Sequence, residues 1–204
     1  MNGKLFFGSM LIKASGIFFL SQPALAQHEH HVHAPKNIFL SQMDTMMMGM
    51  HSAPGSASVD SDFIYQMMPH HEGALRMAEY EIGHGRDFAM IQLAKSILTE
   101  QRSEIQQMNL QLKKLSPGNT TVSPDYLHSM ELAMTQMMNN MPDEKDLNTI
   151  DRSFARVMIP HHQAAIDMAK AVLRCTKNSY IESLAKHIIS SQQIEIDQMS
   201  AFIK

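Results

Sequence analysis

Apolar residues recur along most of this chain at intervals of three and four. That is the spacing of one helix face, and no stretch shows the alternation of a half-buried strand. Met43, Met46, Met47 and Met50 stand at i, i+3, i+4 and i+7. Phe63, Met67, His70, His71, Ala74, Met77 and Ala78 share a second face, and Ala94, Ile97, Gln101, Glu104, Ile105 and Met108 share a third. The spacing predicts three helices. Gly49 and the Ser/Gly-rich stretch 52–58 end the first, and Asp60 is the expected N-cap of the second. Pro69 falls inside the second pattern, directly before two histidines. Two readings of it stay open: a kink that turns the His pair inward, or the first residue of a separate helix.

The pattern then repeats. Shifted by 91 residues, DSDFIYQMMPHHEGALRMA (60–78) overlays DRSFARVMIPHHQAAIDMA (151–169), and LAKSILTEQRSEIQQM (93–108) overlays LAKHIISSQQIEIDQM (184–199). Met134, Met137, Met138 and Met141 fall on the first Met stripe at the same offset, with Pro142-Asp143 as its expected stop. The chain therefore reads as all-α, two tandem three-helix repeats over 36–113 and 127–204, joined by a linker over 114–126 that holds Pro117-Gly118-Asn119 and Pro124.

Composition adds the chemistry. Twenty Met, twelve His, one Cys and no Trp stand in 204 residues, with a formal charge of −3. The balanced charge shows no basic stripe for nucleic acid. Residues 1–26 carry Lys4 and Lys13, a short apolar run and an Ala24-Leu25-Ala26 end, the pattern of a secretory signal peptide. The run is too short to span a bilayer, so export without a membrane span is expected, most simply to a periplasm. One Cys forms no internal disulfide. Residues 27–35 hold His28, His30, His31 and His33 in a polar segment, readable as a loose capture site for copper(II) or zinc, or as a solvated tail.

Met67, His70, His71 and Met77 lie within an arc of roughly 120° on the second helix, as do Met158, His161, His162 and Met168 in the second copy. Imidazole with thioether is a ligand set for copper(I) or silver(I) and a poor one for Mg, Ca or Fe. Such a site needs neutral His, so affinity should fall as pH drops through about 6.5. Met at helical spacing also fills cores, so the first-helix stripes Met43, Met46, Met47, Met50 and Met134, Met137, Met138, Met141 are either further ligands or packing. Gln101, Glu104, Gln192 and Glu195 on the third helices would accept the second ring N–H of metal-bound His, or else face water. A weaker stripe, His70/Met77/His84 and its counterpart His161/Met168/Cys175, fits helix-end surface better than ligation.

The D-x-x-F-x-x-x-M-x-P-H-H-x-x-A-x-x-M-A signature at 60–78 and 151–169, with A-K-x-I-x-x-x-Q-x-x-E-I-x-x-M downstream, resembles the domain of unknown function 305 family, which includes CopM-like periplasmic copper-binding proteins. The resemblance covers most of the chain after residue 26. It implies a ferritin-like helical bundle and soft-metal binding in copper resistance or homeostasis. The implied ligands are Met67, His70, His71, Met77, Met158, His161, His162 and Met168. The reading is a metallochaperone or buffer, not an enzyme, that hands copper ions to another periplasmic carrier or efflux component. Two other classes stay in view: a helical interaction module whose Met-rich groove takes a partner helix, and a cuproxidase-type metal enzyme. A carboxylate di-iron site is disfavoured, because the Glu81/His84 spacing becomes Val172/Cys175 in the second copy.

Overall fold

The computed structural model describes residues 36–56, 58–115 and 122–204. The leader 1–26, the His-bearing segment 27–35 and the linker core 116–121 lie outside the described residues. Six helices follow in order: α1 (Ile38–His51), α2 (Val59–His84), α3 (Phe88–Leu112), α4 (Pro124–Asn139), α5 (Ile150–Leu173) and α6 (Ser179–Ile203), with one 3₁₀ turn at Glu144–Asp146. There is no strand among the described residues, so the chain is an all-α bundle. No helix among them is long and apolar enough to cross a membrane.

Each helix starts on a side chain that satisfies an otherwise orphaned first-turn N–H. Asn37, Ser58, Asp87, Ser123, Thr149 and Asn178 accept from Phe39, Ser61, Met90, Tyr126, Arg152 and Tyr180 respectively. The caps of α2 and α5 are therefore Ser58 and Thr149, not Asp60 and Asp151. Those two aspartates sit inside the first turn and reach across the molecule. Asp60 accepts the Thr176 hydroxyl, and Asp151 accepts the Arg86 and Asp87 amides at 2.8 and 2.7 Å. Each thus ties the loop that follows the opposite central helix. Pro124 is not linker either. It occupies the first position of α4, where its missing N–H costs nothing.

The central helices α2 and α5 pack on each other, α1 and α3 flank α2, and α4 and α6 flank α5. Pro69 and Pro160 lie within continuous helices, which removes the reading that a new helix begins there. Gly73 lets α1 close on α2. A Cβ there would stand 2.9 Å from both Cβ and Cγ of Met46, and no side-chain swing relieves the contact with Cβ.

One buried acid stands outside the repeat logic. Glu81 is fully buried where the second copy has Val172. Burial first, then the Asp151 and Asp87 carboxylates, push its pKa to about 8. The unfolded chain releases this proton near pH 4.5 and the folded chain holds it to about 8, so the group costs stability increasingly as pH rises between those values. Glu81→Gln should therefore leave stability at pH 4.5 nearly unchanged and raise it at pH 8 by on the order of 3 kcal/mol. Urea midpoints at the two pH values check this, and an equal shift at both would sink it.

Candidate metal centre

The proline-preceded histidines of both copies meet in the middle of the bundle. His70, His71, His161 and His162 are all fully buried, as are Met67, Met77, Met158 and Met168 on the same two helices. The histidines do not form one separate pair per repeat. The His70 and His161 rings face each other across the α2–α5 interface, with centroids 3.8 Å apart and planes 36° apart. His71 and His162 lie outside them, 6.3 and 5.8 Å from their sequence neighbours.

The outer histidines each meet a third-helix carboxyl. His71 Nε2 donates to Glu104 Oε2 at 2.8 Å, and Glu195 Oε2 stands 2.8 Å from His162 Nε2. His161 Nε2 donates to the His70 carbonyl at 3.1 Å. With Nε2 donating in this way, the lone pair of His71 and His161 lies on Nδ1. All four Nδ1 atoms are buried without a hydrogen-bond partner, and so are His70 Nε2 and His162 Nε2. Buried polar atoms are rarely left so, at a cost of about 1–3 kcal/mol each. Gln101 and Gln192 are buried, but their amide atoms bond to none of these rings and have no partner.

Burial also sets the charge state. Desolvation, followed by the neighbouring imidazoles, holds the pKa of His70 and His161 well below the ordinary value, and brings His162 down to about 3. Desolvation and then Glu104 raise Glu195 to about 8. These three imidazoles stay neutral across the physiological range, which is the state a metal ligand needs. The expectation that protonation near pH 6.5 weakens the site is therefore corrected for them: in the folded protein it sets in at lower pH.

The first-helix stripes divide. Met43, Met46 and Met50 are buried in α1, and Met137 in α4, whereas Met47 and Met134 are half-buried and Met138 is exposed. The helix α4 ends at Asn139, ahead of Pro142, so Met141 lies beyond it and the four-Met face does not repeat intact. The buried row of α4 is Tyr126, Met130, Ala133 and Met137. Met47 and Met50 of α1 and Met130, Met134 and Met138 of α4 line a cavity of about 600 Å³, with His51 at its edge. Met130 and His51 were not marked as candidates by sequence. At the helix ends His84 stacks on Tyr80 and is exposed, as is the free Cys175.

The family pattern described as domain of unknown function (DUF305) matches residues 19–112 and 60–203. The chain belongs to the DUF305 family. A DUF305 fragment from Deinococcus radiodurans has a crystal structure 28% identical, covering 74% of this chain and 98% of that one, with a TM-score of 0.53. CopM in a silver-bound form is 29% identical over 72% of this chain and 95% of that chain, TM-score 0.55. CopM in its Cu(I)-bound form is 32% identical over 70% and 94%, TM-score 0.52. A 53-residue stretch is 43% identical to an uncharacterized protein of Acanthamoeba polyphaga mimivirus, a match spanning 26% of this chain and 35% of that protein.

Proposed function

We propose that this DUF305 protein binds copper(I), with silver(I) as an alternative soft cargo, and sequesters or hands on the ion without turning over a substrate. The observation that carries the reading is the set of four buried imidazoles whose Nδ1 atoms have no protein partner. A fold that stabilises itself alone has little reason to keep four such atoms dry and unsatisfied. A soft cation bound to the lone pairs offsets that cost, and Glu104 on His71 and Glu195 near His162 orient the outer rings.

Among the described residues no three of these rings offer nitrogens within 4.8 Å of one another. Imidazole alone therefore builds at most two-coordinate sites, and the buried thioethers of Met67, Met77, Met158 and Met168 supply further ligands. Copper(I) accepts low coordination numbers and sulfur, whereas zinc asks for four ligands in a tetrahedron. The likeness to CopM, seen in silver-, Cu(I)- and Cu(II)-bound forms, supports the same cargo. The leader pattern in 1–26 supports export to a periplasm, where a further copper carrier or efflux component would receive the ion. Of the two stripes, Met47, Met50, Met134 and Met138 line the open cavity and serve as an uptake site, while Met43, Met46 and Met137 are packing.

Titration of residues 27–204 with Cu(I) against a chromophoric chelator tests this. Met47/Met50/Met130/Met134→Leu keeps the packing volume and removes sulfur. The expected result is loss of at least one weaker equivalent with the tightest component kept. Unchanged capacity would return the cavity to the second reading, a groove for a partner helix.

A further inference from the structure

The repeat relates two grooves between α3 and α6. One, of about 510 Å³, is lined by Glu100, Glu104, Tyr180 and His187 among others. The other, of about 500 Å³, has Ser191, Glu195, Ala89 and Ser96 at the corresponding positions. The two are alike in size and share Glu100, but differ at the positions the repeat relates. In the first, Glu100, Glu104 and His187 each offer a ligand atom, and all three atoms lie within 4.8 Å of one another. In the second, serines replace two of the three.

His187 Nε2 is 2.9 Å from Glu100 Oε1 and 3.7 Å from Glu104 Oε1. Glu104 is only 4% exposed. Its Oε2 is taken by His71, while its Oε1 is buried, has no hydrogen-bond partner and faces His187. A surface ion pair between Glu100 and His187 accounts for the first distance but leaves that oxygen unexplained. A tetrahedral ion with bonds of about 2.0–2.1 Å holds its ligand atoms about 3.3–3.4 Å apart. The two separations bracket that value, and the Glu100 and Glu104 ligand atoms lie within 4.8 Å of each other, so modest shifts of these side chains close the site.

We propose that Glu100, Glu104 and His187 bind a borderline divalent cation, Zn(II) or Cu(II), at a site distinct from the buried thioether and imidazole core. Two carboxylates and one imidazole contain no soft donor, so copper(I) and silver(I) do not compete for it. His187 is 55% exposed at the mouth of the groove, which gives the ion a path from solvent and leaves room for water as the fourth ligand. Glu104 belongs to both sites, with one oxygen on His71 and the other on the divalent ion. The inference does not depend on the copper(I) reading, because none of its three ligands comes from a Met or from the central histidines.

The test is calorimetric titration of the full exported chain with Zn(II), with His28, His30, His31 and His33 changed to Ala throughout to silence that segment. The His187→Ala variant should bind one equivalent fewer than its parent, with the same thermal midpoint without metal and the same Cu(I) capacity. Equal Zn(II) binding in parent and variant overturns the site. Loss of Cu(I) binding in both proteins would overturn the copper reading and leave this one standing. A gain-of-function arm uses the empty twin: Ser96→His with Ser191→Glu places the same three ligand types around Glu195. One added Zn(II) equivalent is expected. No gain in a folded variant overturns the claim that these three ligands suffice.

Discussion

Changing both His70 and His161 to Leu should make the metal-free protein more stable and cost it most of its Cu(I) affinity. The two effects have opposite signs, and that separates a binding role from a structural one. The rings face each other at 3.8 Å, tilted by 36°, in a fully buried setting, and three of their four nitrogens have no partner. Leucine is close in volume and brings no polar atom. Each orphaned nitrogen removed should return about 1–3 kcal/mol, less the lost ring contact and the freed His70 carbonyl. A net gain of about 1–4 kcal/mol is expected for the metal-free double variant, read from urea midpoints.

The same substitution removes two central donors. Loss of an orienting partner alone typically costs 10- to 100-fold in metal affinity, so loss of the donors should cost at least about 100-fold against a Cu(I) chelator. Were the histidines ordinary core residues, affinity would not move. Were they structural hydrogen-bonding groups, stability would fall. Destabilisation of the metal-free variant, with or without a change in affinity, would therefore remove the unsatisfied-nitrogen argument.

Much of the helical layout could be read from the chain because every helix carries a periodic apolar face, and periodicity survives without tertiary knowledge. The starts of α2 and α5 could not. Ser58 and Asp60, like Thr149 and Asp151, are all competent caps, and the chain's choice turns on Asp60 and Asp151 being needed by loops more than 60 residues away. The buried histidines were legible as a face, since spacing orders residues around one helix. What lies opposite that face is a packing outcome, so the pairing of His70 with His161 across the repeat was hidden. The Met stripes were legible only in part for a related reason. The helix α4 stops at Asn139, which strands Met141 and leaves Met138 exposed. The Glu100/His187 contact was hidden because the repeat drew attention to what recurs, and these two residues are departures from it, Ser191 and Ser96 in the other copy.

Acid should unfold the metal-free protein unusually steeply, and Cu(I) should move that limb to lower pH. His70, His161 and His162 have folded pKa values pulled down by burial, to about 3 for His162. Unfolded histidines take protons below about 6.5. In between, the unfolded state binds more protons, so stability is lost as pH falls, at up to about 1.4 kcal/mol per pH unit for each ring. Glu81 and Glu195, both raised to about 8, act in the other sense from pH 4.5 to 8, because there the folded state keeps protons that the unfolded one releases. The two tendencies oppose each other in part between 4.5 and 6.5. Above 6.5 only the glutamates act, and stability declines toward pH 8. Below 4.5 the two glutamates no longer oppose the histidines, whose slope of up to about 4 kcal/mol per unit exhausts a typical stability of ~5–15 kcal/mol within a few units. Maximum stability should lie near pH 6.5. Cu(I) at about 100 times its Kd adds about 2.7 kcal/mol to the folded state, and the folded rings compete with few protons until well below 6.5. Urea midpoints from pH 3.5 to 9, with and without Cu(I), give the curve. A metal-free midpoint that stays flat from 6.5 down to 4 would mean the rings take up protons in the folded state, and with it the neutral, ion-ready core would have to be abandoned.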